Sequence, residues 1–270
     1  MAADPDAFHE FEQQGWERAA AFYGEAFGAL TSQTAGPMLD AVGASPGTRL
    51  LDVACGPGFI AGAAAERGGI VTGLDFAAAM VAEARRRLPG LMFQEGDAEA
   101  LPFDAETFDA VVMNFGLLHL ARPDAALTEA HRVLRPGGRY AFTVWSEQAV
   151  AFQLALRAIE KHGNAKVPLP AGPPFFRFSD AAETGRVLAS IGFTSVDVRE
   201  LPIVWRVSSA ELVFDALSRG GVRTAAVLRG QTPQALAAIR DAVRRGIEAY
   251  ARDGGFDVPM PAVLASCRKR

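Results

Sequence analysis

The stretch L-L-D-V-A-C-G-P-G-F, Leu50 to Phe59, runs from an apolar strand directly into a glycine turn and carries one carboxylate, Asp52, at the mouth of that turn. The helical sequence A-G-A-A-A-E-R follows at once, so the local order is strand, turn, helix. Gly56-Pro57-Gly58-Phe59-Ile60-Ala61 fits the spacing G-x-G-x-x-A, and Asp75 lies 19 residues beyond Gly56 at the end of the next apolar run. Glycines in such a turn let a ligand approach the backbone, and an acid at the second strand's end accepts the hydroxyls of a ribose. Strand, helix and acid in register point to a nucleotide site. The alternative is a tight turn whose glycines serve only helix–strand packing.

Outward from this turn the alternation continues. I-V-T-G-L-D, L-M-F-Q-E, F-D-A-V-V-M-N and R-Y-A-F-T-V-W read as strands, separated by the helical stretches 77–88 and 125–134. Strands that are nearly continuous apolar runs and alternate with helices imply a parallel sheet covered on both faces. Residues 5–44 read as two helices broken near Thr31–Pro37, with a heavy aromatic load. After Trp145 a helix is expected with Ala149, Phe152, Leu156 and Ile159 on one face. Proline-rich residues 167–178 exclude a regular helix or central strand. A further helix is expected near 180–191. The run V-D-V-R-E-L-P-I-V-W-R-V alternates but slips phase at Leu201–Pro202, which predicts a bend or bulge. Residues 208–256 read as helical, striped by Leu236, Ile239, Val243, Ile247 and Tyr250, and V-P-M-P-A-V-L-A-S-C-R as a last strand.

Asp52 discriminates between nucleotides. A pyrophosphate on the helix N-terminus gains from the backbone dipoles, but a carboxylate about 4 Å away opposes it by roughly 4 kcal/mol at an effective dielectric near 20. S-adenosylmethionine presents an ammonium and a sulfonium there, and positive charge tolerates the acid. The simpler role for Asp52 is to brace the turn's amides, and both roles are compatible. Against an NAD(P)-dependent oxidoreductase stands the lack of a second catalytic set such as Tyr-x-x-x-Lys. A non-catalytic S-adenosylmethionine-binding protein is the third reading.

L-L-D-V-A-C-G-P-G, V-T-G-L-D-F, E-G-D-A-E-A-L-P-F, F-D-A-V-V-M-N-F-G-L-L-H-L and R-V-L-R-P-G-G-R-Y-A-F occur in the order found in class I S-adenosylmethionine-dependent methyltransferases. The chain resembles the small-molecule branch typified by the ubiquinone/menaquinone C-methyltransferases, densely over 49–146. It departs at Ala54, where many members carry glycine. The resemblance implies an α/β fold, a Rossmann-like seven-stranded mostly parallel sheet with one antiparallel strand at the end. It implies a single domain over 1–270, with a core of 45–207 and 257–270 and helical lid segments at 1–44 and 208–256. It implies a cofactor site formed by Asp52, Ala54, Gly56, Gly58, Asp75, Phe76, Met80, Asp97, Ala98 and Asn114, joined by Tyr23, with Asp97 receiving the adenine amino group. Trp16 and Tyr23, seven residues apart, share a helix face and are expected over the cofactor or acceptor or against the domain. Trp16, Phe115 and Phe176 are the expected acceptor-pocket residues.

His119, in the loop after the fourth strand, is the candidate general base by its residue type and place. Local packing or capping is the competing role. Methyl transfer needs little from the protein beyond alignment, exclusion of water and, for some acceptors, a proton acceptor. The expected acceptor is a small apolar or aromatic metabolite. A net charge of −4 argues against nucleic acid, and Arg85–Arg87 read as a solvated helix end. Two cysteines fit no disulfide framework. No metal site, leader or membrane span is expected, and a cytoplasmic location is the simplest.

Overall fold

The alternating runs form, in a computed structural model that describes residues 4–270, two sheets and ten α-helices. The chain passes through α1 (Pro5–Thr31), α2 (Ala35–Val42), β1 (Arg49–Val53), α3 (Phe59–Glu66), β2 (Ile70–Asp75), α4 (Ala78–Arg87), β3 (Met92–Glu95), β4 (Phe108–Asn114), α5 (Pro123–Val133) and β5 (Leu134–Trp145). It continues through α6 (Val150–His162), α7 (Ala181–Ile191), β6 (Phe193–Leu201), β7 (Val204–Val207), α8 (Ala210–Arg219), α9 (Arg223–Arg229), α10 (Pro233–Ile247), β8 (Ala251–Arg252), β9 (Gly255–Pro259) and β10 (Ala262–Lys269).

The seven-stranded sheet has the order β3-β2-β1-β4-β5-β10-β6. Strands β1 to β5 are parallel, and β10 runs antiparallel to both neighbours. The antiparallel strand is last in the chain but second from the sheet's edge. Helices cover both faces, which is why Ala110–Met113 of β4 are fully buried and need no polar alternation. Strand order reverses between β1 and β4, so the connections after them leave in opposite directions and open a crevice at the strands' carboxyl ends.

Helix α1 spans that end. Asp4 caps it by accepting from the Asp6 and Ala7 N–H groups, with Pro5 in the first turn. It is tied down by side chains that finish other elements. Glu17 accepts from the Ala78 and Ala79 N–H groups at 2.5 and 3.0 Å, capping α4, whose own cap residue Ala77 offers no side-chain acceptor. Gln13 donates to the Phe76 carbonyl at 2.9 Å. Gly15 allows close approach to the segment before α9, since a Cβ there would lie 2.3 Å from Val222. Helix α2 instead packs beside the sheet with Met38 and Leu39 fully buried.

Four expectations change. The phase slip at Leu201–Pro202 is no bulge within one strand. Pro202 cannot donate to a ladder, and after it the chain leaves the large sheet, so β7 joins a separate sheet of order β7-β9-β8. The stretch 208–256 is therefore not helical throughout: it holds α8 to α10, then β8 and the start of β9. Likewise the expected last strand divides, with Val258–Pro259 in β9 and the rest from Ala262 in β10. Helix α6 buries Ala151, Ala155, Ala158 and Ile159, while Leu156 is 51% exposed. Its contact with α10 is made by Leu154, which packs so closely on Gly246 that a Cβ there would lie 2.5 Å away. No helix among the described residues is long and apolar enough to cross a membrane.

Candidate active site

The crevice between β1 and β4 opens into a cleft of about 750 Å³. Its floor is the glycine turn. Gly58 caps α3 at φ +82, and a side chain there would press on Leu88 and Phe93, so only glycine keeps the turn flat against the cleft. Ala54 is also left-handed, at φ +54. A Cβ in that region costs about 1–2 kcal/mol, which is a physical reason for glycine to be common there.

Two carboxylates lie in this floor. Asp52 is fully buried; Oδ2 accepts the Ala61 N–H at 2.9 Å, and Oδ1 has no partner. Burial pushes its carboxyl up to about 8, against the Ala61 hydrogen bond and with help from the Asp75 charge. Asp75 accepts the Gly56 N–H at 2.8 Å on one oxygen and the Ala77 N–H at 3.0 Å on the other. Burial raises it to about 6 although these donors favour the charged form. Asp52 Oδ1 is thus left as an unmatched acceptor in the cleft floor. Tyr23, pushed up to about 12 by burial, remains a neutral phenol above the two carboxyl groups.

A second chamber of about 530 Å³ adjoins the first. Trp16, Tyr23, Thr31, Phe115 and His119 border both. Phe115 stacks on Trp145 at 4.0 Å, Trp145 meets Phe152 at 5.4 Å, and Phe152 meets Phe175 at 5.6 Å, so aromatic faces make up much of its wall. Gly220 to Val222, between α8 and α9, and the first residues of α9, Arg223 and Thr224, close it. Beyond Phe152, Phe175, Arg223 and Thr224 a surface groove continues past Leu156. At the junction of the two chambers, His119 Nδ1 lies 3.0 Å from Glu12 Oε2, and Arg223 Nε donates to Glu12 Oε1 at 2.9 Å.

The cleft thus gathers Asp52, Ala54, Gly56, Asp75, Phe76, Met80, Ala98, Asn114, Tyr23, Trp16, Phe115 and His119. Gly58 supports it from behind. Asp97 is not in its wall: the half-buried carboxylate turns to the Glu99 N–H at 2.8 Å and lies near His9 and Glu99, while flanking Gly96 and Ala98 face the cleft. Asn114 is committed to the frame, accepting from Thr34 and Thr143 hydroxyls and donating to the Thr31 carbonyl. Phe176 lines only the outer groove; its neighbour Phe175 faces the inner chamber. Glu12 and Arg223 escaped the sequence reading. Glu12 had a signal, because it lies four residues from both Phe8 and Trp16 on the apolar helix face. Arg223 had none.

The unpartnered Asp52 Oδ1 and the raised carboxyls fit a ligand with a cationic amine, and the residual acceptor capacity of Asp75 fits hydroxyls. Residues 51–142 match the methyltransferase domain family. The chain is 35% identical over 175 residues to the demethylmenaquinone methyltransferase of Renibacterium salmoninarum, covering 61% of this chain and 74% of that protein. It is 44% identical over 110 residues to the ubiquinone/menaquinone biosynthesis C-methyltransferase UbiE of a Ruegeria species, covering 38% and 44%. In fold it is similar to phosphoethanolamine N-methyltransferase 2 of Haemonchus contortus solved with S-adenosyl-L-methionine, at TM-score 0.60 and 17% identity over 97% of this chain and 60% of that one.

Proposed function

Because the chain belongs to the class I S-adenosylmethionine-dependent methyltransferases, in the branch that includes the demethylmenaquinone methyltransferases, we propose that it methylates a small apolar or aromatic metabolite held in the second chamber. One observation carries this reading. The acid-floored cleft and the aromatic chamber share a wall of Trp16, Tyr23, Phe115 and His119, so a donor in one and an acceptor in the other meet at their junction. S-adenosylmethionine, when bound, supplies a methyl group on a sulfonium whose leaving group is a neutral thioether. Asp52 would meet its ammonium and Asp75 its ribose hydroxyls, with Phe76, Met80 and Ala98 around the adenine. Arrival of the acceptor through the groove beside Phe175 keeps water from the junction and aligns the reacting atoms.

Calorimetry is the first test: S-adenosylmethionine and its demethylated product bind and NAD does not. Tight NAD binding with silence toward S-adenosylmethionine would overturn the cofactor reading. Transfer of labelled methyl to a panel of one- and two-ring phenols and hydroquinones then tests the acceptor class. 1,4-Naphthohydroquinone leads that panel, because relatives are named for demethylmenaquinone. Binding without turnover on any member would favour a non-catalytic S-adenosylmethionine-binding protein.

A further inference from the structure

The His119–Glu12–Arg223 cluster joins three segments far apart in sequence, and nothing in the donor site requires it. Glu12 is wholly buried in the middle of α1. A buried carboxylate is costly unless paired and hydrogen-bonded, and here each oxygen has one partner: Arg223 on Oε1, His119 on Oε2. Arg223 also donates to the Leu118 carbonyl at 2.8 Å and the Pro173 carbonyl at 2.9 Å. It therefore holds the backbone beside His119 as well as the carboxylate in front of it. The imidazole is gripped edge-on by Trp16 at 4.8 Å and by Phe175 at 6.2 Å.

From this arrangement we propose that Glu12 is a positioning residue that fixes His119 as the proton acceptor of the methyl transfer, with Arg223 holding the pair in place. The inference rests on the methyl-transfer reading above. Arg223 supplies the counter-charge of Glu12, so the carboxylate acts as a fixed acceptor for the Nδ1–H. That hydrogen bond selects one tautomer and leaves the lone pair on Nε2. Among the described residues Nε2 has no hydrogen-bond partner, and its ring borders both chambers. The acceptor atom gains a bond to the methyl carbon and loses its bond to hydrogen. The proton goes to Nε2, and the electron pair of the broken methyl–sulfur bond stays on sulfur. An acceptor that must lose a proton, such as a phenol or an electron-rich ring carbon, is the class this device serves.

Two measurements test the proposal. Nitrogen-15 spectra of the labelled protein saturated with S-adenosylhomocysteine, with His119 assigned through His119→Ala, should show Nδ1 protonated and Nε2 bare. In Glu12→Gln that preference should be lost. An Nε2–H tautomer in the wild type, or an unchanged tautomer in Glu12→Gln, overturns the positioning role whether or not an acceptor is known. With 1,4-naphthohydroquinone as acceptor, His119→Ala should lower kcat by at least about 100-fold, the range of general-base catalysis, and added imidazole should restore part of it. Glu12→Gln should lower kcat by about tenfold with unchanged S-adenosylhomocysteine affinity, and the double variant should be no slower than His119→Ala, as for groups acting as a unit. Retention of kcat in His119→Ala, or additive losses without imidazole rescue, overturns the base. A wild type that binds S-adenosylhomocysteine but methylates no panel member counts against the acceptor reading, and the tautomer still decides the Glu12 assignment.

Discussion

The two chambers are built in opposite ways. The first cleft takes its floor from strand ends and the turn between them, in one stretch of sequence, and it brings two buried carboxyl groups together, Asp52 and Asp75. The second chamber is walled by aromatic rings from α1, the loop after β4, the β5 end, α6 and the 167–178 segment, is closed by the α8–α9 junction, and holds His119 and Arg223 as its ionisable members. Fixed local geometry suits one invariant ligand; a wall assembled from distant segments can change with its acceptor without disturbing the other.

The sharpest break of this comparison is Arg223→Met. It strands Glu12 as an unpaired buried charge, and about 3–5 kcal/mol of stability should be lost, as when one partner of a buried pair is removed. Urea denaturation should find most of that loss recovered in the Arg223→Met, Glu12→Gln double variant. If the single variant is as stable as the wild type, the distant wall does not depend on this pair.

The floor predicts an effect of pH. Both acids have folded-state values raised from 3.8, Asp75 to about 6 and Asp52 to about 8. The folded protein therefore binds more protons than the unfolded chain in this window, and stability falls as pH rises from about 4 to about 8. Asp52, with the larger displacement, should account for the larger part of the loss. Asp52→Asn, which keeps an oxygen for the Ala61 N–H, should flatten the profile, while a cationic donor should bind more tightly as pH rises through the same window. Chemical denaturation at several pH values would measure the first, and calorimetry the second.

Asp75→Ala should weaken S-adenosylmethionine binding by about 1.5–3 kcal/mol, the range for a hydrogen bond to a charged group. Unchanged affinity would remove Asp75 from the ribose role. The smallest effects separate the neighbouring phenylalanines. Phe175→Ala should raise the acceptor KM several-fold, and Phe176→Ala, confined to the outer groove, should alter it by less than about twofold. Equal effects would erase the boundary between chamber and groove.

These constructions also explain what could be read in advance. The large sheet and the glycine turn were legible because their signals are local: apolar runs of strand length, a fixed spacing, an acid 19 residues on. The antiparallel last strand was legible only through resemblance, and its place inside the sheet depends on pairing with Arg139–Trp145. Pro202 announced a discontinuity but not that a second sheet begins there. Phe175 and Phe176 sit in a segment without periodicity, so nothing local says which faces inward. Arg223 is 211 residues from Glu12, and a single sequence carries no trace of such a pairing. Ala54 taught the reverse: a substitution that looks harmless by size falls at a left-handed backbone position.

The chain leaves the large sheet after Leu201 and rejoins it at Ala262, and these two residues are register partners in adjacent strands. Everything between, residues 202–261, is a detour whose two ends already touch. Such a piece is exchangeable: a short hairpin turn could replace it, or a different detour of another length could be spliced in, with little added loop-closure cost. The sheet and its glycine turn would be a chassis, and the detour a replaceable attachment that evolution or a designer can vary to change acceptor. Its ion pair to the rest of the chain is Arg223 on Glu12, so a graft would have to bring its own cation or be paired with Glu12→Gln.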